Sequence, residues 1–224
     1  MGDLFDVVVL GLLALLPLIN PPTTVALFLT LSQGLGREEK NQQALRTAIN
    51  VFVIMTLAFY AGELIMDVFN ISIPGLRIAG GGILIIIGSR MLFPQPSQPT
   101  TANNDGAQRA NFSFIPLAMP STAGPGTIAL IISASATFKY NTTFPAWVLV
   151  VAPPLIFLST ALILWGCLRA SELIMKMTGP SGIDAISRMM GFLLVCMGVQ
   201  FAINGSVDIA QTLINNNAQL FRHP

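Results

Sequence analysis

The sequence predicts an all-α polytopic membrane protein with six transmembrane spans. They form two inverted three-span repeats, with interrupted helices in spans 1 and 4. Three observations lead there. Of 224 residues, 53% are hydrophobic and 9% charged, with mean hydropathy +0.72. Soluble domains carry roughly 25% charged residues, so a water-soluble fold of this size would lack the charge to cover its surface. Six apolar stretches reach the roughly 20 residues needed to cross a bilayer. A proline-interrupted motif also occurs once in each half.

The first stretch covers residues 4–31. Its lead, "MGDLFDVVVLGLLALL", has no Lys or Arg before the apolar run and no small-x-small cleavage site. It is therefore expected to be a retained span rather than a signal peptide. "PLINPPTT", residues 17–24, interrupts it. A proline in a helix interior costs roughly 3 kcal/mol, and an unsatisfied peptide group is most costly in hydrocarbon. Stretches at 46–68 and 73–93 complete the first repeat, residues 1–93.

Residues 94–111, "PQPSQPTTANNDGAQRAN", read as a flexible cytoplasmic linker. The second repeat, residues 112–206, holds spans at 112–136 (interrupted), 146–168 and 183–206, before a periplasmic C-terminal tail at 207–224. The fifth span carries no charge, has Pro153 and Pro154 as a candidate kink, and is bracketed by Trp147 and Trp165 as interfacial anchors.

Basic residues set the orientation. Arg37, Lys40, Arg46, Arg90, Arg109, Arg169, Lys176 and Arg188 fall on one side, and Arg77, Lys139 and Arg222 on the other, which accounts for all eleven. The richer side is expected to be cytoplasmic, placing both termini in the periplasm.

The interruption answers to a repeat. "PLINPPTTVALFL" from Pro17 and "PLAMPSTAGPGTIALII" from Pro116 both open P-L-x-x-P, pairing Pro21 with Pro120 at an offset of 99. The third spans match at an offset of 110, Gly81 with Gly191 and Gly88 with Gly198. Three spans per half is odd, so the second half must be inserted upside down. Paired interrupted helices in inverted repeats point to a transporter binding site near the midplane.

Asn20 is expected to cap a new half-helix that starts at Pro21, with Gly124 and Pro125 as the counterpart. Each start would leave unpaired amides and a partial positive charge, a receptor for a carboxylate. The candidate substrate-binding residues are Asn20, Pro21, Thr23, Thr24, Ser121, Thr122, Gly124, Gly126 and Thr127.

Other residues are weighed against plain alternatives. Glu63 is the best candidate for proton coupling, though a carboxylate wetted at the outer interface is the preferred reading of it. Asp184 and Arg188 suit an interfacial i,i+4 pair. Gly81 and Gly88, like Gly191 and Gly198, lie seven apart on one helix face and are expected to pack helices closely. Cys167 and Cys196 have no CxxC spacing and are expected to be small buried hydrophobes. His223, the only histidine, is next to the last residue, so no His-based metal site or Ser-His-Asp triad is expected. No cofactor or metal is called for, and no basic run points to nucleic acid.

The stretches "LLPLINPPTTVALFL", "ISIPGLRIAGG", "PLAMPSTAGPGTIA", "VAPPLIF" and "ISRMMGFLLVCMGVQF" resemble the MarC family of small bacterial inner-membrane proteins. The likeness spans nearly the whole chain except residues 94–111 and the tail. It implies a six-span inner-membrane protein in a family with members described as neutral amino acid transporters. It also implies signature positions at Asn20, Pro21, Thr23 and Thr24 in one half, and at Pro120, Gly124, Pro125 and Gly126 in the other.

The expected function is secondary transport of small zwitterionic solutes such as neutral amino acids. The expected partners are the lipid bilayer and that amino-acid-like substrate. A passive pore or a non-transporting accessory protein are the alternatives. An enzyme is not expected, because HExxH, GxSxG and paired midplane aspartates are all missing from the sequence.

Overall fold

The computed structural model describes residues 2–93, 113, 117, 118, 122–139 and 145–220. The described residues form seven α-helices and no strand: α1 (Gly2–Ile19), α2 (Pro21–Leu31), α3 (Arg37–Val68), α4 (Ile73–Leu92), α5 (Pro125–Lys139), α6 (Ala146–Arg169) and α7 (Ser171–Leu220). Four helices are long and apolar enough to cross a membrane, within Arg37–Val68, Ile73–Leu92, Trp147–Arg169 and Ser171–Ile214. The bent pair Leu4–Ile19 and Pro21–Leu31 makes a fifth span if its two parts count as one. Large apolar side chains such as Leu57, Leu64, Val150 and Phe192 are left on the outside, as a lipid-facing surface requires.

Local chemistry sets each boundary. α1 tolerates Pro17 in its interior and stops at Asn20, whose φ of 47° and ψ of 64° place it in the left-handed region. Asparagine is among the few residues that visit that region readily. Pro21 and Pro22 then occupy the first helical positions, where a missing N–H costs nothing, and the chain turns by 45°. Gly34, at φ 83°, carries the turn into α3. There the Glu39 carboxylate accepts the Gly36 N–H at 3.0 Å. Only this returning half of a capping box can form, because Gly36 has no side chain. Ser72 caps α4 by accepting the Gly75 N–H at 3.2 Å.

Several expectations change. α6 stays helical through Pro153 and Pro154, with room beside it. Pro153 lines an apolar cavity of about 110 Å³ with Phe59, Ile131, Phe138, Ile156 and Phe157. α7 begins earlier than the expected sixth span and continues to Leu220, so the described part of the expected tail from 207 onward is helix. It bends at Gly179 (φ 70°, ψ 169°), just before Pro180.

Of the fourth expected span, α5 is present at 15 residues. That length is about 22 Å, too short to cross alone. Much of its first part lies outside the described residues, as do linker residues 94–111 and Arg109, Lys139's side chain, Arg222 and His223. Cys167 is half-buried and Cys196 exposed, so the expectation of two buried cysteines fails. A lipid-facing position tolerates a thiol as readily as a core does.

Lipid is as apolar as leucine, so burial alone does not hold these helices together, and close packing of small residues must. α4 and α7 run antiparallel in intimate contact. A Cβ added at Gly81 would lie 2.5 Å from the Gly198 carbonyl oxygen, and one at Gly88 the same distance from that of Gly191. The expected glycine packing is therefore present, between the two halves. Gly80 and Gly126 serve α5 similarly, approaching Ala129 and Leu84.

Candidate functional site

The two breaks meet. The Thr24 and Thr122 hydroxyl oxygens lie 3.5 Å apart, and both residues are fully buried. That separation is longer than an ordinary O–H···O bond, and each hydroxyl has a nearer partner. Thr24 Oγ1 donates to the Ile19 and Asn20 carbonyls, both at 3.2 Å. Thr122 Oγ1 donates to the Leu117 carbonyl at 2.8 Å. Thr127 Oγ1 repeats the pattern on the Thr122 carbonyl at 3.3 Å. The hydroxyl protons thus patch carbonyls loosened by the breaks, a common role for Thr in interrupted membrane helices. What remains open on these oxygens is acceptor capacity.

Asn20 departs from its expected role. It occupies the N-cap position of α2, but its side chain makes no capping bond. The physical reason lies in its backbone, left-handed at φ 47° and ψ 64° rather than extended as a capping residue is, which keeps its side-chain oxygen off the Thr23 N–H. Pro21 and Pro22 have no N–H, so of the first three amides of α2 only that of Thr23 exists. The break offers one free amide, not the several expected. At the second break Pro125 removes one, leaving those of Gly126 and Thr127. The Asn20 amide nitrogen instead donates to Thr23 Oγ1 at 2.7 Å and to Met91 Sδ at 3.4 Å. Its Oδ1 is buried with no hydrogen-bond partner among the described residues, while the residue is only 5% exposed. A buried amide oxygen left unpaired costs about 1–3 kcal/mol, so this position is primed for a donor.

Other expected residues divide around this point. Pro21 borders a gap of about 10 Å³ together with Ile19 and Thr160, roughly the room for one water. Gly124 is buried at the second break, and Gly126 is covered by Leu84. Ser121, Pro116 and Pro120 lie outside the described residues. α5 starts at Pro125, the counterpart of Pro21 that was expected to open the second half-helix. Glu63 is half-buried toward the C-terminal end of α3. It follows Gly62, which packs on Ile132 more than one turn beyond Thr127. Asp184 and Arg188 form no ion pair among the described residues; Arg188 reaches the Leu92 carbonyl at 3.4 Å instead.

Sequence reasoning passed over several partners. Thr23 Oγ1 donates to Ser187 Oγ at 3.0 Å, tying α2 to α7. The signal was available, since Ser187 lies four residues before Gly191 on the same face. Thr160 Oγ1, on the uncharged fifth span, is a second buried oxygen with no partner. Arg77 Nη1 pairs with Asp208 Oδ2 at 2.5 Å, while its other nitrogens donate to Ser133 at 2.6 Å and Thr137 at 3.1 Å. One guanidinium thus joins α4, α5 and α7 at the end opposite the basic-rich one. No spacing rule links residues 131 apart in sequence.

The family model for "MarC family integral membrane protein" matches residues 5–210. The chain belongs to the MarC family. The protein named UPF0056 inner membrane protein MarC in Citrobacter koseri is 56% identical over 219 residues, covering 95% of this chain and 99% of that protein. The proteins of the same name in Salmonella typhimurium and Escherichia coli O1:K1 / APEC are 56% and 57% identical with the same coverage. No solved structure matches. With its apolar spanning helices, the chain is an integral inner-membrane protein of this family.

Proposed function

We propose that this protein is a secondary carrier for small zwitterionic solutes such as neutral amino acids, built from two inverted three-span repeats and moving substrate past two broken helices. The observation that carries the reading is the burial of Thr24 and Thr122 against one another at the two breaks. The α4–α7 contacts support the repeat. Gly81 on Gly198 becomes Gly191 on Gly88 when each position is shifted by 110, and the Ala202 N beside Gly81 likewise becomes the Leu92 N beside Gly191. The same interface read from either half is what a pseudo-twofold axis in the membrane plane produces.

The chemistry favours a ligand with both signs of charge over a simple anion. The amides of Thr23, Gly126 and Thr127, backed by two helix N-terminal dipoles, suit a carboxylate. Asn20 Oδ1 and the threonine lone pairs suit an ammonium group. With the hydroxyls 3.5 Å apart no solute fits between them, so this is the closed arrangement, and transport requires α2 and α5 to part. The positive-inside count places both termini in the periplasm.

Saturable uptake of radiolabelled alanine, serine or leucine into proteoliposomes is the direct test. Thr24→Val and Asn20→Leu should abolish it while Thr24→Ser retains it, with membrane-inserted protein at wild-type amounts. Flux that rises linearly with concentration would indicate a pore, and no flux across an amino acid panel would remove the carrier reading.

A further inference from the structure

The strongest site away from the two breaks is a cleft of about 530 Å³ at the basic-rich end, within the range of about 300–1,000 Å³ typical of small-ligand pockets. Arg37 and Lys40 from α3, Arg169 from the end of α6 and Lys176 from α7 all line it. The single acid in the lining, Glu172, is already engaged by Lys40 at 2.7 Å. Among the described residues Arg37, Arg169 and Lys176 have no ion pair. Arg169 is held in place by stacking on Trp165, its guanidinium 5.4 Å from the ring centroid. The positive ends of α3 and α7 open onto the same space. Below these charges the lining turns apolar at Phe28 and Leu168, both buried.

Scattered cations on one membrane face follow from orientation alone. Convergence of three cations without an ion pair among the described residues, from three helices, on one concavity does not. We infer that this cleft binds the phosphate group of an anionic ligand, and that the apolar floor beside the charged rim fits an anionic phospholipid, its headgroup among the cations. This inference is independent of the carrier reading and would survive its failure.

The test is thermal protection of the purified full-length chain in detergent by phosphatidylglycerol, by phosphatidylcholine and by inorganic phosphate, each titrated alone. Phosphatidylglycerol should protect and phosphatidylcholine should not. Arg37→Gln and Lys176→Gln should each raise the half-protecting lipid concentration about fivefold, as expected for one cation near an anionic headgroup. Arg90→Gln, exposed at the same end but outside the cleft, should change it less than about twofold. Lys176→Gln alters an exposed side chain, so a folding failure in Arg37→Gln leaves the test intact. Protection by inorganic phosphate alone, lost in the same two variants, would confirm the phosphate site and overturn its lipid occupant. Protection by neither, or protection indifferent to the cleft substitutions, overturns the inference.

Discussion

Gly88→Ala probes the contact that joins the two halves. A Cβ at this position would sit 2.5 Å from the Gly191 carbonyl oxygen and 2.9 Å from the Val195 nitrogen. A relaxed carbon–oxygen contact is about 3.3 Å or longer, so the helices must part by about 0.8 Å. Both obstacles are backbone, and neither can swing aside. A gap of about 0.5–1 Å forfeits about a quarter to a half of each pairwise dispersion well. In lipid that attraction is a main force between helices. Overpacking costs about 1–3 kcal/mol, offset in part by the better helix propensity of alanine, about 1 kcal/mol. The net loss is up to about 2 kcal/mol, or up to about 8 °C in Tm for a chain of this length.

Gly82 supplies the control, because a Cβ there meets nothing within 4 Å. Gly82→Ala should be no less stable than the parent. Thermal unfolding in mild detergent, followed by size-exclusion chromatography, reads both variants. Gly198→Ala should match Gly88→Ala, since its Cβ would lie 2.6 Å from the Gly81 carbonyl oxygen. Equal stability of Gly88→Ala and Gly82→Ala would refute the close antiparallel contact of α4 and α7.

With Cys167 and Cys196 replaced by alanine, Thr24→Cys/Thr122→Cys should form a disulfide in membranes under mild oxidant, seen as a gel shift reversed by reductant; failure to cross-link would separate the two breaks. Arg77→Gln should destabilise by about 1–3 kcal/mol, because it strips a charge-assisted bond from a partly buried carboxylate. A double-mutant cycle with Asp208→Asn should show coupling of at least about 0.5 kcal/mol, and additive effects would remove the Arg77–Asp208 pair. The Lys40 ammonium, through its hydrogen bond and its charge, holds the Glu172 carboxyl below its ordinary value. A lowered folded pKa means the bridge contributes above the ordinary carboxylate range and is lost as pH falls through the lowered value. Lys40 and Glu172 should therefore stay coupled from neutral pH to the ordinary carboxylate range and uncouple only in stronger acid, measured by comparing Glu172→Gln with the parent across pH.

Much of this was legible in the chain because one-dimensional chemistry decides it. The break at Asn20 followed from two prolines and an asparagine in an apolar run, and α2 starts at Pro21 as expected. The seven-residue glycine spacing foretold a packing face, and that face meets its counterpart. Asn20 does not cap α2, because its backbone is left-handed where a capping residue is extended. The Asp184–Arg188 pair failed because the Leu92 carbonyl at the end of α4 offered Arg188 another acceptor. Cys196 faces outward, which apolar composition cannot distinguish from inward when lipid surrounds the protein.

Hydropathy, proline placement and charge asymmetry determined from sequence alone that this is a membrane protein, where its first span breaks, and which end gathers its cations. Those properties depend on neighbours along the chain and on transfer from water to lipid. Tertiary structure decided that Thr24 faces Thr122, that Asn20 Oδ1 is buried with no donor among the described residues, and that Arg77 bridges three helices to Asp208. Each of these joins residues far apart in sequence, and hydrocarbon gives no hydrophobic preference among helix faces, so only the interlocking of small residues in three dimensions selects them.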